Sequence, residues 1–291
     1  MNMAGTWQDI GHPERQSLFL HAVNVCLFAI IYGLFHVYFL FQCALNRAYY
    51  RMLSIVHGYG MPLPRGQVSA DIKGLSKMPK HISAILSLGK IGSQAAGVRR
   101  LATETAELAA WCAEADISML SVYEKTGILK ETANMDLVYQ SIRNRLECHF
   151  GGRDGKVLLT TGPRPYSWSI SVTRSVEAGP ESALQFQLIS ASDGREAILG
   201  VANGIAPRCR RGSLSVDEVS IAMLHAELTE QVFPEPDLLV IFGPSHRLAG
   251  YPPWQIRLTE IFCLKNKVGF GYLVFRKALQ KYARAQMRRG Q

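Results

Sequence analysis

From Arg15 to Arg47 the chain carries no Asp, Glu, Lys or Arg between the two arginines. No other feature restricts its possible folds so strongly, because an ordinary soluble domain seldom runs so far without a charge. The segment Leu18–Phe41, LFLHAVNVCLFAIIYGLFHVYFLF, supplies the ~20 helical residues at ~1.5 Å rise that a hydrocarbon core of ~30 Å requires. His21, Asn24, Tyr32 and His36 are tolerable interruptions, and Tyr38 suits the membrane–water boundary. A cleavable signal peptide would have an apolar region of about 7–15 residues, basic residues before it and a small-residue cleavage site after it. This segment is longer and ends in Phe39, Leu40, Phe41 and Gln42, so an uncleaved, single-pass anchor is expected at 18–41, after a short N-terminal segment, 1–17.

The flanks give the orientation. Asp9, Glu14 and Arg15 nearly cancel on the N-terminal side, whereas Arg47, Arg51, Arg65, Lys73, Lys77 and Lys80 follow the anchor. The excess of basic residues belongs on the cytoplasmic side, so the C-terminal domain is expected in the cytosol. Lys plus Arg number 32 against 23 Asp plus Glu, a net charge of +9, and much of that surplus follows from this rule. A nucleic-acid partner would call for a basic and aromatic stripe within the folded domain, and none is found. With 48% apolar and 19% charged residues, the chain is neither disordered nor collagen-like. Cys26, Cys43, Cys112, Cys148, Cys209 and Cys263 show no CxxC spacing, which argues against a disulfide framework or zinc knuckle and for reduced, apolar cysteines.

Residues 42–80 read as a juxtamembrane linker, Gly-, Pro-, Lys- and Ser-rich from Gly58 onward, and residues 81–291 as one domain. Apolar runs predict strands at His81–Ser87, Ile117–Tyr123, Ser167–Val172, Leu184–Ser190, Asp237–Phe242 and Leu258–Leu264. Helical periodicity marks Arg100–Cys112, Asn134–Glu147 and Gly271–Met287, and Ser215-Val216-Asp217-Glu218 is a capping box ahead of Ile221, Leu224 and Leu228. Strands alternating with helices predict an α/β domain with a largely parallel sheet covered on both faces. Phe150–Pro180 is the least predictable stretch.

Isolated motifs carry little. Leu88-Gly89-Lys90-Ile91-Gly92 follows the first strand, where α/β proteins place phosphate sites, yet it matches neither GxGxxG nor the Walker loop. His149 and His225 have no partners at ligand spacing and read as surface or helix-packing residues. No HExxH, GxSxG or paired acidic motif supports a hydrolase.

The most informative stretch is Pro236–Ile261. It aligns without a gap with the cis-prenyltransferase signature PDLLIRTSG-E-x-R-L-S-N-F-L-L-W-Q-x-x-Y-x-E. Pro236-Asp237-Leu238-Leu239, Arg247, Leu248, Trp254, Gln255 and Glu260 match. The Phe242-Gly243-Pro244 and Pro253-Trp254-x-Ile256-Arg257-Leu258-Thr259-Glu260-Ile261 wording resembles one branch most, the Nogo-B receptor family, accessory subunits of eukaryotic dehydrodolichyl diphosphate synthase. His81–Leu86 looks like the opening strand of that fold, and Trp111-Cys112, Ile117–Tyr123, Gly127-Ile128 and Ser190–Arg195 resemble the accessory branch as well. The chain ends Arg288-Arg289-Gly290-Gln291, similar to the C-terminal Arg-x-Gly of that family.

The resemblance implies a cis-prenyltransferase-like fold and a role in making long-chain cis-polyprenyl diphosphate for dolichol and protein glycosylation at the endoplasmic reticulum. It further implies a catalytic cis-prenyltransferase partner, isoprenoid diphosphate substrates, and Mg²⁺ held mainly by that partner and the substrate. Arg288 and Gly290 are then expected to reach the partner's active site. In active members the first strand ends in an Asp that holds Mg²⁺ and diphosphate; here Ser87 stands there, and Ile241 replaces the first signature Arg. Ser supplies no anionic ligand to a hard cation, and Ile cannot pair with diphosphate. Arg247 occupies the second Arg position, as a relic, a surface residue or a residual phosphate contact. Two other readings stay open, a self-sufficient prenyltransferase and a non-enzymatic membrane receptor or sterol-transport partner.

Overall fold

The computed structural model describes residues 13–56, 62–89, 92–151, 156–173, 182–243, 246–264 and 269–285, and the chain divides into two compact units at Tyr49 and Tyr50. The long helix α1 (Pro13–Val56) contains the apolar stretch Leu20–Asn46, 27 residues with a mean hydropathy of 2.0, exposed throughout Leu20–Phe41. At ~1.5 Å per residue that stretch is ~40 Å long, enough by length and composition to cross a membrane. The helix runs past Phe41 to Val56 because no Gly or Pro interrupts Gln42–Val56.

The segment read as a linker is not all loose. It holds a short helix, α2 (Gln67–Ile72), and buries Leu63 and Val68 in the domain core. Two apolar anchors in a Gly/Pro-rich stretch are too few to register as a periodic pattern, which is why α2 goes unseen in the sequence.

The second unit is built on β1 (His81–Leu86), α3 (Gln94–Glu114), β2 (Met119–Glu124), α4 (Thr132–Phe150), β3 (Lys156–Thr161), β4 (Ser167–Thr173), β5 (Ser182–Ile189), α5 (Arg195–Arg210), α6 (Ile221–Gln231), β6 (Leu238–Ile241), β7 (Glu260–Cys263) and α7 (Tyr272–Arg284). Seven strands form one sheet in the order β3-β4-β5-β2-β1-β6-β7. The five from β5 to β7 run parallel, and β3 and β4 add antiparallel pairs at one edge. The expected largely parallel sheet between helices is therefore present.

Alternation along β1 explains the two layers. Ile82, Ala84 and Leu86 face a core shared with α3, α4 and α7. Ile85, together with Tyr123, Leu239 and Ile241 of the neighbouring strands, faces a second core closed by Val201 and Ile205 of α5 and Leu228 of α6. Successive side chains point to opposite faces, so a strand buried on both reads as an unbroken apolar run.

Two further elements differ from expectation. The strand β3 lies within the unpredictable stretch. The helix α5 was not anticipated, since Gly200, Gly204 and Pro207 mask its periodicity. Burial of Val201 and Ile205 offsets the weak propensity. A Cβ at Gly204 would meet nothing within 4 Å, so Gly204→Ala is expected to stabilise the domain by about 0.5–1 kcal/mol, read as a higher midpoint in thermal unfolding. The capping box at Ser215 is real but closes only a short 3-10 turn; α6 begins later, capped by Ser220 on the Met223 N–H.

At the start of β1, His81 is buried with Nε2 2.6 Å from Ser121 Oγ. Burial pushes its ring down to about 4, against the smaller raising effects of the Glu235 carbonyl and the Asp237 charge. The unfolded ring binds a proton near 6.5. Its contribution is therefore complete above pH 6.5 and lost as pH falls towards 4, by about 3 kcal/mol. Urea titrations at successive pH values are expected to show this loss, with the His81 ring still neutral by NMR at pH 5.

Candidate functional site

The chain leaves β1 across the face covered by α3. It leaves β6 through a loop whose Leu248, Tyr251, Trp254 and Ile256 pack on the opposite face. Where neighbouring parallel strands send their connections to opposite sides, a crevice opens at their C-terminal ends, the place where open α/β sheets bind ligands. A cavity of about 210 Å³ lies there. Its wall is made by Ser87 at the end of β1, Tyr123, Glu124 and Lys125 at the end of β2, Ile241 and Phe242 at the end of β6, and Arg247 in the following loop.

Three positions singled out in the sequence thus meet in one cavity. Ser87 and Arg247 are exposed at its rim, whereas Ile241 is buried in its floor. Arg247 has no ion-pair partner among the described residues. Arg288 and Gly290 lie outside the described residues, as do Lys90 and Ile91 of the Gly-containing turn.

The loop after β1 is held by a residue that sequence reasoning did not single out. Arg100, in the second turn of α3, donates Nη2 to the carbonyls of Ser87 and Leu88 at 2.9 and 2.6 Å, while Nη1 pairs with Glu104 at 3.0 Å. Gly89 takes φ +79°, and a Cβ there would stand 3.1 Å from Arg100 Nη2. No local signal marks Arg100 for this task, since the contact depends on how α3 returns over the strand end.

The far wall is pinned by two tyrosines. The Tyr123 hydroxyl donates to the Ala249 carbonyl at 2.8 Å, and that of Tyr251 to Ser83 Oγ at 2.8 Å, with the rings 5.2 Å apart. Burial, aided by the charges of Glu124 and Asp193, pushes the Tyr123 hydroxyl up to about 12. Burial likewise raises Tyr251. Both stay protonated donors at neutral pH. The Ala249-Gly250 turn needs φ of +51° and +88°, which Gly250 adopts without strain.

The donor set does not suit the Mg²⁺ that the resemblance implies. Ser87 is neutral. Glu124 Oε2 already accepts from the Thr126 N–H and hydroxyl at 2.9 and 2.6 Å. A hard divalent cation needs several oxygen donors with anionic charge among them. The two cations at the cavity, Lys125 and Arg247, are chemically fitted to an anion instead.

The two histidines read from the sequence as surface or packing residues each take a polar partner inside the fold. His149 is buried and bonded through Nε2 to Glu114, and His225 Nδ1 accepts from Trp254 Nε1 at 3.3 Å.

No family model matches the chain. The chain is 36% identical over 226 residues to the dehydrodolichyl diphosphate synthase complex subunit nus1 of Schizosaccharomyces pombe, covering 78% of this chain and 82% of that protein. It is 33% identical over 273 residues to the subunit of the same description from Saccharomyces cerevisiae, covering 88% and 71%. Among solved structures, lavandulyl diphosphate synthase from Lavandula x intermedia, in complex with dimethylallyl diphosphate, superposes with a TM-score of 0.48 at 18% identity, covering 72% of this chain and 97% of that one.

Proposed function

The chain belongs to the family of dehydrodolichyl diphosphate synthase complex subunits, and from that premise we propose that it is the accessory subunit of a heteromeric transferase. It pairs with a catalytic cis-prenyltransferase that condenses farnesyl diphosphate with isopentenyl diphosphate into long-chain cis-polyprenyl diphosphate, the precursor of dolichol. The observation that carries the non-catalytic role is the cavity itself. Its place at the strand ends is that of an active site, but Ser87 and Ile241 line it where prenyl transfer calls for an anionic metal ligand and a diphosphate-binding guanidinium.

The physical reason is charge. A diphosphate leaving group carries several negative charges, and ionisation of the allylic C–O bond requires them to be met by metal and by bidentate, charge-assisted donors. Here Mg²⁺ and both diphosphates belong to the partner's site. Arg247 is a surface or relic cation at the rim: its guanidinium suits an anion, but it cannot replace the missing metal ligand. Arg288 and Gly290 complete the partner's site from the C-terminus, and α1 fixes the complex to the endoplasmic reticulum membrane with the folded domain in the cytosol.

The test is isopentenyl incorporation by this chain alone, by a catalytic subunit alone and by the copurified pair. Activity is expected for the pair, well above that of the catalytic subunit. Turnover by the isolated chain, or no gain on pairing, would end the proposal. Ser87→Asp in the isolated chain is expected to leave turnover at background, because Ile241 still withholds a diphosphate donor.

A further inference from the structure

The C-terminus of α5 carries a feature that the prenyl-transfer reading does not use. Arg210 and Arg211 are followed by Gly212, Ser213 and Leu214. The Gly212 N–H donates to the Cys209 carbonyl and the Ser213 N–H to the Arg208 carbonyl, each at 3.0 Å, with Gly212 at φ +73°. This is the Schellman closure of a helix, in which a left-handed glycine turns the chain outward. It leaves Arg210, Arg211, Gly212 and Ser213 exposed and Leu214 half-buried. The Ser213 hydroxyl makes a single bond, to the Arg208 carbonyl at 3.0 Å.

We propose that Ser213 is a phosphorylation site for an arginine-directed serine/threonine kinase. Such kinases read their substrate as an extended strand. Carboxylates of the enzyme pair with guanidinium groups three and two residues before the acceptor, and an apolar pocket takes the residue after it. Arg210, Arg211 and Leu214 stand at those three positions. The pairing is charge-assisted and favours Arg over Lys. Ser215 is a poorer acceptor, because its nearest arginine is four residues away and its hydroxyl already accepts from the Asp217 N–H.

Access is favourable. From Arg211 to Ser220 every residue is exposed except the half-buried Leu214 and Val219. Extending the segment therefore frays the end of α5, breaks the Arg211, Gly212 and Ser213 N–H bonds and the Ser213 hydroxyl bond at the helix end, and lifts one leucine, a local opening of the kind helix ends and surface loops undergo. In the transfer, Ser213 Oγ attacks the γ-phosphorus of ATP. The Oγ–P bond forms as the bond to the ADP oxygen breaks, and the hydroxyl proton passes to the kinase's base. The product adds a charge of about −1.5 to −2 beside Arg208, Arg210 and Arg211, and it removes the hydroxyl donor from the Arg208 carbonyl.

The cellular setting rests on the cytosolic orientation proposed above, but the test does not. The full-length chain in detergent is incubated with the catalytic subunit of cyclic-AMP-dependent protein kinase and radiolabelled ATP, and the label is mapped by mass spectrometry. Label on Ser213 is expected, lost in Ser213→Ala and retained in Ser215→Ala. Replacing Arg210 and Arg211 together by Ala is expected to slow labelling by at least about tenfold, since each charged hydrogen bond is worth more than a factor of ten. No label above a kinase-free control, label surviving Ser213→Ala, or indifference to the two arginines would each overturn the proposal.

Discussion

Arg288→Ala in the assembled synthase is expected to lower isopentenyl incorporation by about 10²–10³ while the two subunits still copurify. Losing one preorganised donor from a site that stabilises developing charge typically costs about 2.7–4 kcal/mol, and a guanidinium offered to diphosphate is such a donor. Gly290→Ala is expected to act in the same direction if the backbone there takes a positive φ or approaches phosphate closely, where a Cβ would intrude. The competing view is a frayed basic tail, as most chain ends are. On that view both substitutions, and removal of Arg288–Gln291, leave turnover unchanged. Equal rates for wild type and all three variants would remove the C-terminus from the mechanism and leave the accessory role resting on assembly alone.

The second large effect is on stability. Glu114, at the end of α3, is buried and accepts from the Ser69 N–H at 3.0 Å through Oε1, while Oε2 bonds to His149 Nε2 on α4. The ring's other nitrogen lies 3.2 Å from Arg145 Nη1, and Arg145 reaches Glu107 at 2.7 Å and the Leu63 carbonyl at 3.3 Å. One network thus joins α3, α4 and the segment before β1. Burial works against the Glu114 charge, but the His149 and Ser69 bonds outweigh it and hold the carboxyl below its ordinary value. Its contribution is therefore present above the ordinary carboxylate range and lost as pH falls through the lowered value.

Removing the Glu114 carboxylate leaves two donors, the Ser69 N–H and the buried His149 ring, without their acceptor, together typically at about 2–6 kcal/mol. Glu114→Ala is expected to destabilise the domain by that amount in chemical denaturation. Glu114→Gln, which keeps an acceptor for the Ser69 N–H, is expected to lose less. Equal losses for the two would show that the carboxylate charge, which both variants remove, matters more at this position than the volume and acceptor that Gln keeps. Limited proteolysis gives a second readout, because Glu114→Ala also frees Ser69 and should expose the stretch around α2 to cleavage.

Periodicity located most strands and three of the helices, since a strand buried on both faces and a helix with one apolar stripe each leave a local imprint. The long apolar helix was legible for the same reason: apolarity sustained over that many residues needs no neighbour to define it. Ser87, Ile241 and Arg247 were named from a linear signature, and each lies at or just beyond the end of β1 or β6, strands that pair directly with Ile85 opposite Ile241.

What the sequence determined by itself, then, is whatever depends on neighbours along the chain: the apolar stretch, the alternating strands, and Ser87 and Ile241 standing where the resemblance has an Asp and an Arg. Tertiary structure decided the rest. The helix α5 forms despite Gly200, Gly204 and Pro207 because Val201 and Ile205 find a core formed by residues distant in sequence. The stretch before β1 is ordered because Glu114, 45 residues after Ser69, satisfies its backbone, and because Asp71 meets the Tyr272 hydroxyl of α7 at 3.1 Å. Arg100 holds the loop after β1 only because α3 folds back over the strand it follows. Such contacts join residues far apart in sequence, and burial that strengthens a hydrogen bond or ion pair arises only when both partners have been brought out of water together.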